Sequence, residues 1–312
     1  MPGLVHHPLG YPFVPMFRKR GSDRAPDATR AGAAGPAHTA HPDEDADWRS
    51  FDPIAEDYAR LFAPDLKRVA EDLVKLLEVS SRQRILDVGT GTGVGARSAA
   101  GATGDGLAIG VDPSMGMLRA ATRDAGEGVR LAAATSIDLP FRDAAFDRLM
   151  ANFVIGFFQN PSTAFFELLR VLRPGGRLAV SWWARGDSQD ELRSTWLGVA
   201  EEFAEHEVLM EAQSRAIPGE ERFADRGVLK QTMHDAGLRD IWTEIRSYRF
   251  QSSRDDWLAG REIASLGRFL HQMLGEELWA DFRRRVRTVF AERFPQQLND
   301  FRDVVLAVGH KP

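Results

Sequence analysis

The segment Gly89-Thr90-Gly91-Thr92-Gly93 lies between Arg84-Ile85-Leu86-Asp87-Val88, which reads as a strand, and Val94 to Ala100, which can begin a helix. No other stretch of the chain restricts the fold as much. Glycine at alternate positions lets the backbone turn sharply out of a strand, and it lets a ligand approach N–H groups that a Cβ would shield. A ligand is therefore expected at the start of that helix. A second acid, Asp112, closes the next apolar run (Leu107 to Val111), 21 residues beyond Gly91. That is the spacing at which a carboxylate accepts hydrogen bonds from a ribose diol.

Two ribose ligands compete for such a loop. Gly91-x-Gly93-x-x-Ala96 satisfies the dinucleotide fingerprint in isolation and admits a nicotinamide cofactor, hence an NAD(P)-dependent oxidoreductase. Asp87, two residues before the first glycine, weighs against it. A carboxylate there repels a pyrophosphate and attracts an α-ammonium group. A ribose ligand with an α-amino group is S-adenosylmethionine, which these residues favour. The dinucleotide and a purely structural glycine turn stay open on the residues alone.

Strands and helices alternate around the loop. Asp52-Pro53 reads as a helix N-cap and first helical residue, and Leu66, Val69, Leu73, Leu76 and Leu77 recur at helical spacing. Met115 to Ala125 reads as a helix, and Val129 to Ala134 and Asp147 to Ala151 read as strands. Asn160-Pro161 opens a helix that stops at Pro174-Gly175-Gly176, before a fifth strand from Leu178 to Trp182. This alternation implies a doubly wound α/β fold, a mostly parallel Rossmann-like sheet with right-handed crossovers and helices on both faces. Residues 188–237 and 254–294 read as helical, with a strand at 241–250 between them and a closing strand at 303–308. The two helical stretches are expected to form a lid and bind substrate over the sheet's carboxyl edge.

Composition narrows the class further. The formal net charge of −5 gives no basic field for phosphate backbones, and no run approaches the ~20 apolar residues that cross a bilayer. Nucleic acid is not the expected partner. Cysteine is absent, which removes disulfides, thiolate metal sites and cysteine nucleophiles. No resident metal is expected. Residues 1–45 hold seven of the sixteen prolines and four of the eight histidines (His6, His7, His38, His41) without an apolar period. They read as a disordered leader ahead of a domain at 46–312, or as the product of a start codon placed too early. Prolines interrupt any signal-like apolar core near the N-terminus, so the expected location is cytoplasmic.

Four segments, taken in order, carry a resemblance. They are Ile85-Leu86-Asp87-Val88-Gly89-Thr90-Gly91-Thr92-Gly93, then Val111-Asp112-Pro113-Ser114-Met115-Gly116-Met117-Leu118, then Leu139-Pro140-Phe141 with Phe146-Asp147, then Leu169-Arg170-Val171-Leu172-Arg173-Pro174-Gly175-Gly176. The set resembles the class I S-adenosylmethionine-dependent methyltransferases, in particular the branch acting on quinone rings and natural products in secondary metabolism. The resemblance covers residues 84–182 well, and it implies a seven-stranded sheet whose last strand is antiparallel. It also implies that Asp87, Gly89, Thr90, Gly91 and Gly93 hold the methionyl ammonium and carboxylate and that Asp112 holds the ribose. Pro113 and Met117 would pack near the adenine and ribose, and Ala151, Asn152 and Phe157 would line the methyl-donor pocket. Where the family usually has an acid for the adenine amino group, this chain has Thr135-Ser136-Ile137, with Asp138 shifted. Thr135 Oγ or backbone groups would take that contact.

Methyl transfer from a sulfonium is an in-line displacement, so alignment and desolvation supply much of the acceleration and a base is optional. Pyrimidine C5 and arsenite acceptors resemble cysteine-dependent chemistry and fail on composition. Exocyclic base amines are associated with an Asn/Asp-Pro-Pro-aromatic loop, whereas this chain reads Asn152-Phe153-Val154-Ile155. The expected acceptor is a small molecule, methylated on oxygen, nitrogen or carbon. Tyr58, His206 and His271 are the catalytic candidates, with His234 as a further lid histidine, and Trp183 is the candidate substrate contact beside Trp182. Arg283-Arg284-Arg285 with Arg287 reads as a solvated helix face. A non-catalytic cofactor-binding module is the reading from another class.

Overall fold

The computed structural model describes residues 47–185 and 190–312, so the leader expected at 1–45 and the first two residues of the 188–237 segment lie outside it. Seven strands form one sheet: β1 (Arg84–Val88), β2 (Leu107–Asp112), β3 (Val129–Ala133), β4 (Phe146–Asn152), β5 (Leu172–Trp183), β6 (Arg239–Ser253) and β7 (Gln297–His310). Their order is β3-β2-β1-β4-β5-β7-β6, with β7 antiparallel to both its neighbours and β1 to β5 parallel. Ile85, Leu86, Leu149, Met150, Leu178 and Val180 are fully buried, as strands covered on both faces must be.

Helices α1 (Ala55–Leu61) and α2 (Ala63–Leu76) precede the sheet, followed by α3 (Val94–Thr103), α4 (Met115–Arg123) and α5 (Pro161–Val171) in the crossovers. Val69 and Leu73 of α2, with Leu77 just beyond it, are fully buried, while Leu66 and Leu76 pack on the same core from its edge. The Asn160 side chain accepts from Thr163 N at 3.1 Å and so caps α5 as its sequence implies. Asp52 departs from expectation. Helix α1 starts only at Ala55 without a side-chain cap, and the Asp52 carboxylate accepts instead from Ser114 Oγ (2.6 Å) and Gly116 N (2.7 Å). A long-range clasp on the start of α4 thus replaces a local cap.

Arg170 on α5 gives the Leu139-Pro140-Phe141 segment a physical purpose. Its guanidinium donates to Leu139 O, Phe141 O, Glu167 and Asp143, while Glu167 accepts from Leu139 N. The loop before β4 is thereby tied to the crossover helix that follows β4.

The C-terminal half contains α6 (Glu191–Ala200), α7 (His206–Ala216), α8 (Glu220–Phe223), α9 (Arg226–Asp235), α10 (Arg254–Ile263) and α11 (Ser265–Arg293), the last broken at Gly275, whose φ is +68°. This half does not divide at the boundary the sequence implies. Phe223, Leu229 and Met233 of α8 and α9 belong to the main sheet core, whereas Trp196, Leu209, Trp257, Trp279, Phe282 and Phe290 of α6, α7, α10 and α11 form a second hydrophobic cluster. Helical periodicity gives the helices but not which core each one joins. No helix among the described residues is long and apolar enough to cross a membrane.

Trp182, 1% exposed at the end of β5, fixes the wall between the two cores. A Cβ built on Gly156, in the 3₁₀ turn Ile155–Phe157 after β4, would lie 1.9 Å from its ring. Gly156→Ala is expected to destabilise the fold by about 1–3 kcal/mol through overpacking, read as a lower urea midpoint at unchanged m; an unchanged midpoint would contradict this packing.

Candidate functional site

The strand order reverses between β1 and β4, and ligands of open α/β sheets bind beyond the carboxyl ends of strands at such a switch. Gly89, Gly91 and Gly93 follow β1 there, with φ of +67°, +53° and +83°, a region that side chains with a Cβ rarely adopt. A Cβ at Gly91 would meet nothing within 4 Å, so this glycine faces open space with its backbone accessible. The loop is held from within: Thr90 N donates to Val111 O at 2.9 Å and Gly93 N to Thr90 O at 2.8 Å.

Asp112 joins this loop to the next one. Its Oδ2 accepts from Gly91 N at 2.8 Å and its Oδ1 from Ser114 N at 2.9 Å. Burial pushes the carboxyl up to about 6, against the pull of those two amides. Asp87 is 1% exposed, with Oδ2 accepting from Thr90 Oγ1 at 2.6 Å and Oδ1 lacking a partner of hydrogen-bond geometry. Burial pushes it up to about 7, opposed by the Thr90 hydroxyl and the Ala96 amide. The carboxylate abuts the first turn of α3, where a Cβ on Gly95 would come 2.5 Å from Oδ2. Gly95 is thus a fourth glycine of the site that the strand–turn–helix reading passes over, because it lies inside the helix.

The remaining sequence-derived residues ring this loop. Met117, in the first turn of α4, is buried and packs with Ala55, while Pro113 and Thr135 are exposed. Thr135 and Asp138 close a small turn, leaving Ser136 half-buried and Ile137 55% exposed at its tip. Ala151 is buried in β4, and Asn152 accepts from Ser181 Oγ at 2.7 Å. Phe153, next in the chain, is held at φ +56° with its N donating to Ser181 Oγ, a strained conformation that aims its ring at Trp183.

A cavity of about 630 Å³, within the range of small-molecule sites, adjoins this region. Phe51, Tyr58, Phe157 and Trp183 line it, although the glycine loop and Asp112 do not. Tyr58 connects the two regions. Its ring packs on Phe51 and Phe62, and burial together with the nearby Asp112 charge raises its phenol, so the hydroxyl stays protonated and cannot act as a base near neutrality. His206 and His271 lie outside the cavity lining, beside Glu201 (2.6 Å) and Glu276 (3.1 Å) respectively, and His234 lies near Asp235. Arg283, Arg284, Arg285 and Arg287 pair with Glu262, Asp281 and Glu202 on the surface.

Sequence reasoning missed most of the cavity wall. Phe250, Asp300 and Arg302 come from β6 and β7, which overshoot β5 as a two-stranded ribbon, and Arg193, Trp257 and Arg261 come from α6 and α10. The available signal was alternation along β7, which places 300, 302 and 304 on one face with Trp183. Among the described residues there is no group of three or more His, Asp or Glu able to hold a metal.

Because the Asp87 and Asp112 carboxyls ionise at higher pH in the folded chain than their unfolded value of about 4, the stability they contribute is present below that value and is lost as pH rises through 6 to 7. In cofactor-free melts, Asp87→Asn is expected to remove part of the wild-type decline in Tm between pH 4 and 7.5. Parallel Tm curves for the two proteins would contradict the burial argument.

A profile described as "Methyltransferase domain" matches residues 86–180, which run from β1 through β5. A malonyl-[acyl-carrier protein] O-methyltransferase of Hahella chejuensis is 31% identical over 222 residues, covering 68% of this chain and 77% of that protein. A demethylmenaquinone methyltransferase of Roseiflexus castenholzii is 38% identical over 113 residues, or 36% of this chain and 48% of that one. The chain spans between 40% and 57% of the length of several further demethylmenaquinone methyltransferases and 59% of an uncharacterised protein of Methanocaldococcus jannaschii. In fold, it superposes on Haemonchus contortus phosphoethanolamine N-methyltransferase 2, solved with S-adenosyl-L-methionine, at a TM-score of 0.52 and 17% identity, covering 84% of this chain and 57% of that one. The sheet order, the glycine loop with its two acids and the long alignment to the Hahella relative together establish that the chain belongs to the class I S-adenosylmethionine-dependent methyltransferase family.

Proposed function

We propose that the protein transfers a methyl group from S-adenosylmethionine to a small-molecule acceptor held in the cavity beside Tyr58 and Trp183. The observation that carries this reading is the Asp112 carboxylate. It is fixed by Gly91 N and Ser114 N at the mouth of the glycine loop, and each oxygen keeps a lone pair for a ribose hydroxyl.

The residues fit the cofactor. Gly91 leaves room for the methionyl moiety over its backbone, with Gly89, Thr90 and Gly93 shaping the loop. The buried Asp87, with one unpartnered oxygen, supplies negative charge below the loop for an α-ammonium. Such a cation favours the ionised carboxylate, whereas the pyrophosphate of a dinucleotide would oppose it, which is why an oxidoreductase fits less well. The exposed Ile137 and Met115 (55% and 46%) give an adenine ring apolar surface to cover, with Pro113 and Met117 beneath and the Thr135–Ser136 turn at its edge. Ala151, Asn152 and Phe157 lie toward the methyl end.

When bound, S-adenosylmethionine supplies an electrophilic methyl group on a positively charged sulfur. The chain's own residues then align the acceptor and exclude water. An acceptor arriving as an anion, an enolate or a free amine would take the methyl group while the carbon–sulfur electron pair stays on sulfur, so the chain would need to supply no base, and the proton of a methylated amine would be lost on product release. Tyr58, protonated and facing the cavity, orients the acceptor as a donor. Helices α6, α7, α10 and α11 act as the lid. The relatives' names, for a malonyl-acyl carrier protein and a demethylmenaquinone, support a non-nucleic-acid acceptor.

Calorimetry with S-adenosylmethionine or S-adenosylhomocysteine, run against NADH, tests the assignment. Saturable binding of the adenosyl ligands alone is expected, and binding of NADH alone would overturn it. Asp112→Ala is expected to weaken S-adenosylhomocysteine binding by about 1–3 kcal/mol, the loss for a hydrogen bond to a charged group; an unchanged Kd would remove Asp112 from the ribose site. A product-release assay over phenols, amines and acids separates an enzyme from a non-catalytic module.

A further inference from the structure

Two arginines in the cavity wall contact tryptophan rings but no hydrogen-bond partner. Arg302 on β7 lies over the Trp183 indole, its Cζ 4.1 Å from the ring centroid, and Arg261 on α10 lies over the Trp257 indole at 5.7 Å, which it shares with Arg193 at 5.9 Å. Among the described residues neither guanidinium makes a hydrogen bond or an ion pair with protein, and both line the cavity. Stacking uses the face of a guanidinium and leaves the N–H donors in its plane free. Both groups thus border the cavity beside an indole with their N–H donors unused.

The other charges of the wall are largely committed. Arg193 donates to Asp300 at 2.9 Å and is paired with Asp190, and Trp257 Nε1 also donates to Asp300 at 3.3 Å. Asp256 pairs with Arg60, and Glu221 with Arg185. Arg268 is the exception: Nη1 donates to Ser50 O at the rim, while its buried Nε and Nη2 have no hydrogen-bond partner among the described residues. Asp65 and Glu220 remain, and burial raises both carboxyls, weakening them as counter-ions. Burial and the neighbouring Arg193 lower Arg302 to about 9 and Arg261 to about 10, so both stay charged at neutral pH; Asp190 and Asp300, two acids that share Arg193, act on them from beyond ion-pair distance. Two cations drawn out of water with no carboxylate in hydrogen-bond contact are stabilised by an anion that enters with the ligand.

We infer that Arg261 and Arg302 are the anion-receiving end of the acceptor cavity, and that the methyl acceptor is an apolar acid. Its carboxylate or phosphate meets the two guanidinium edges while its body lies against Phe62, Phe153 and Phe250. The anionic group is an anchor rather than the methylated atom, because hydrogen bonds from two guanidinium groups occupy the lone pairs that attack on a methyl carbon requires. This specificity rests on the proposed methyl transfer, and its test separates the two.

Wild-type protein saturated with S-adenosylhomocysteine is titrated by tryptophan fluorescence with matched pairs, 2-naphthoate against 2-naphthamide and decanoate against decanamide. 2-Naphthyl phosphate and 2-naphthylmethylamine are added as further arms. In at least one pair the acid is expected to bind about tenfold or more tighter than its amide, as charge-assisted hydrogen bonds imply. A stronger response to naphthyl phosphate than to naphthoate identifies phosphate as the source of the charge and supports the inference. Arg302→Gln and Arg261→Gln should each cut the acid's advantage while leaving amide and S-adenosylhomocysteine affinities unchanged, which also shows that the variants are folded, and Arg302→Lys should retain most of it. Absence of an acid preference in both pairs, preference for the amine, or full preference in both glutamine variants overturns the anionic acceptor. Failure of S-adenosylhomocysteine itself to bind overturns the methyltransferase reading instead.

Discussion

Asp112 accepts one backbone hydrogen bond from Gly91 and another from Ser114, and through these two contacts the carboxyl ends of β1 and β2 become a single surface. Gly91 is the middle of a loop whose left-handed turns carry no hydrogen bonds of regular structure, so the carboxylate gives it a fixed partner. The same loop depends on Asp87 from below, through Thr90, and on Gly95, which leaves room for that carboxylate against α3. Two buried acids therefore organise a segment that contributes almost no side chains. Both sit in surroundings that resist their ionisation.

How far the chain can be read without coordinates follows from where each signal lies. The five parallel strands, the capped helix at Asn160 and the glycine loop are legible because each is a local pattern of a few adjacent residues, and the antiparallel closing strand came with the family resemblance. Asp52 shows the opposite case. Its sequence context is that of a local N-cap, but a tertiary partner 62 residues away at Ser114 takes the carboxylate. The cavity wall was least legible. Arg193, Trp257, Arg261, Phe250 and Arg302 are scattered over more than a hundred positions of otherwise ordinary helix and strand, and only the overshoot of the β6–β7 ribbon past β5 brings them to one place. Trp183 was visible as a strand-end aromatic, but its guanidinium cover was not. The lid boundary was misdrawn for a related reason: periodicity says that α8 and α9 have an apolar face, and not that the face meets the sheet.

The donor side and the acceptor side of the molecule obey different physics. The donor side is backbone geometry, glycines and two carboxylates, which a short motif specifies. The proposed acceptor side is a cavity between two hydrophobic cores, with Trp182 in the wall and Phe153 held in a strained turn by Ser181. Tyr58 is placed between them, close enough to feel the Asp112 charge while its ring lines the cavity. A single hydroxyl thus lies where the two ligands would meet, consistent with a reaction whose main requirement is alignment.

A crystal structure of the protein soaked with S-adenosylhomocysteine tests the central claim most directly. The ribose diol is expected within hydrogen-bond distance of Asp112, the amino-acid portion over Gly91, and the thioether pointing into the cavity beside Tyr58. Density for the nucleoside elsewhere, with Asp112 contacting only Gly91 and Ser114, would contradict the claim that these two acids exist to receive a sulfonium-bearing nucleoside.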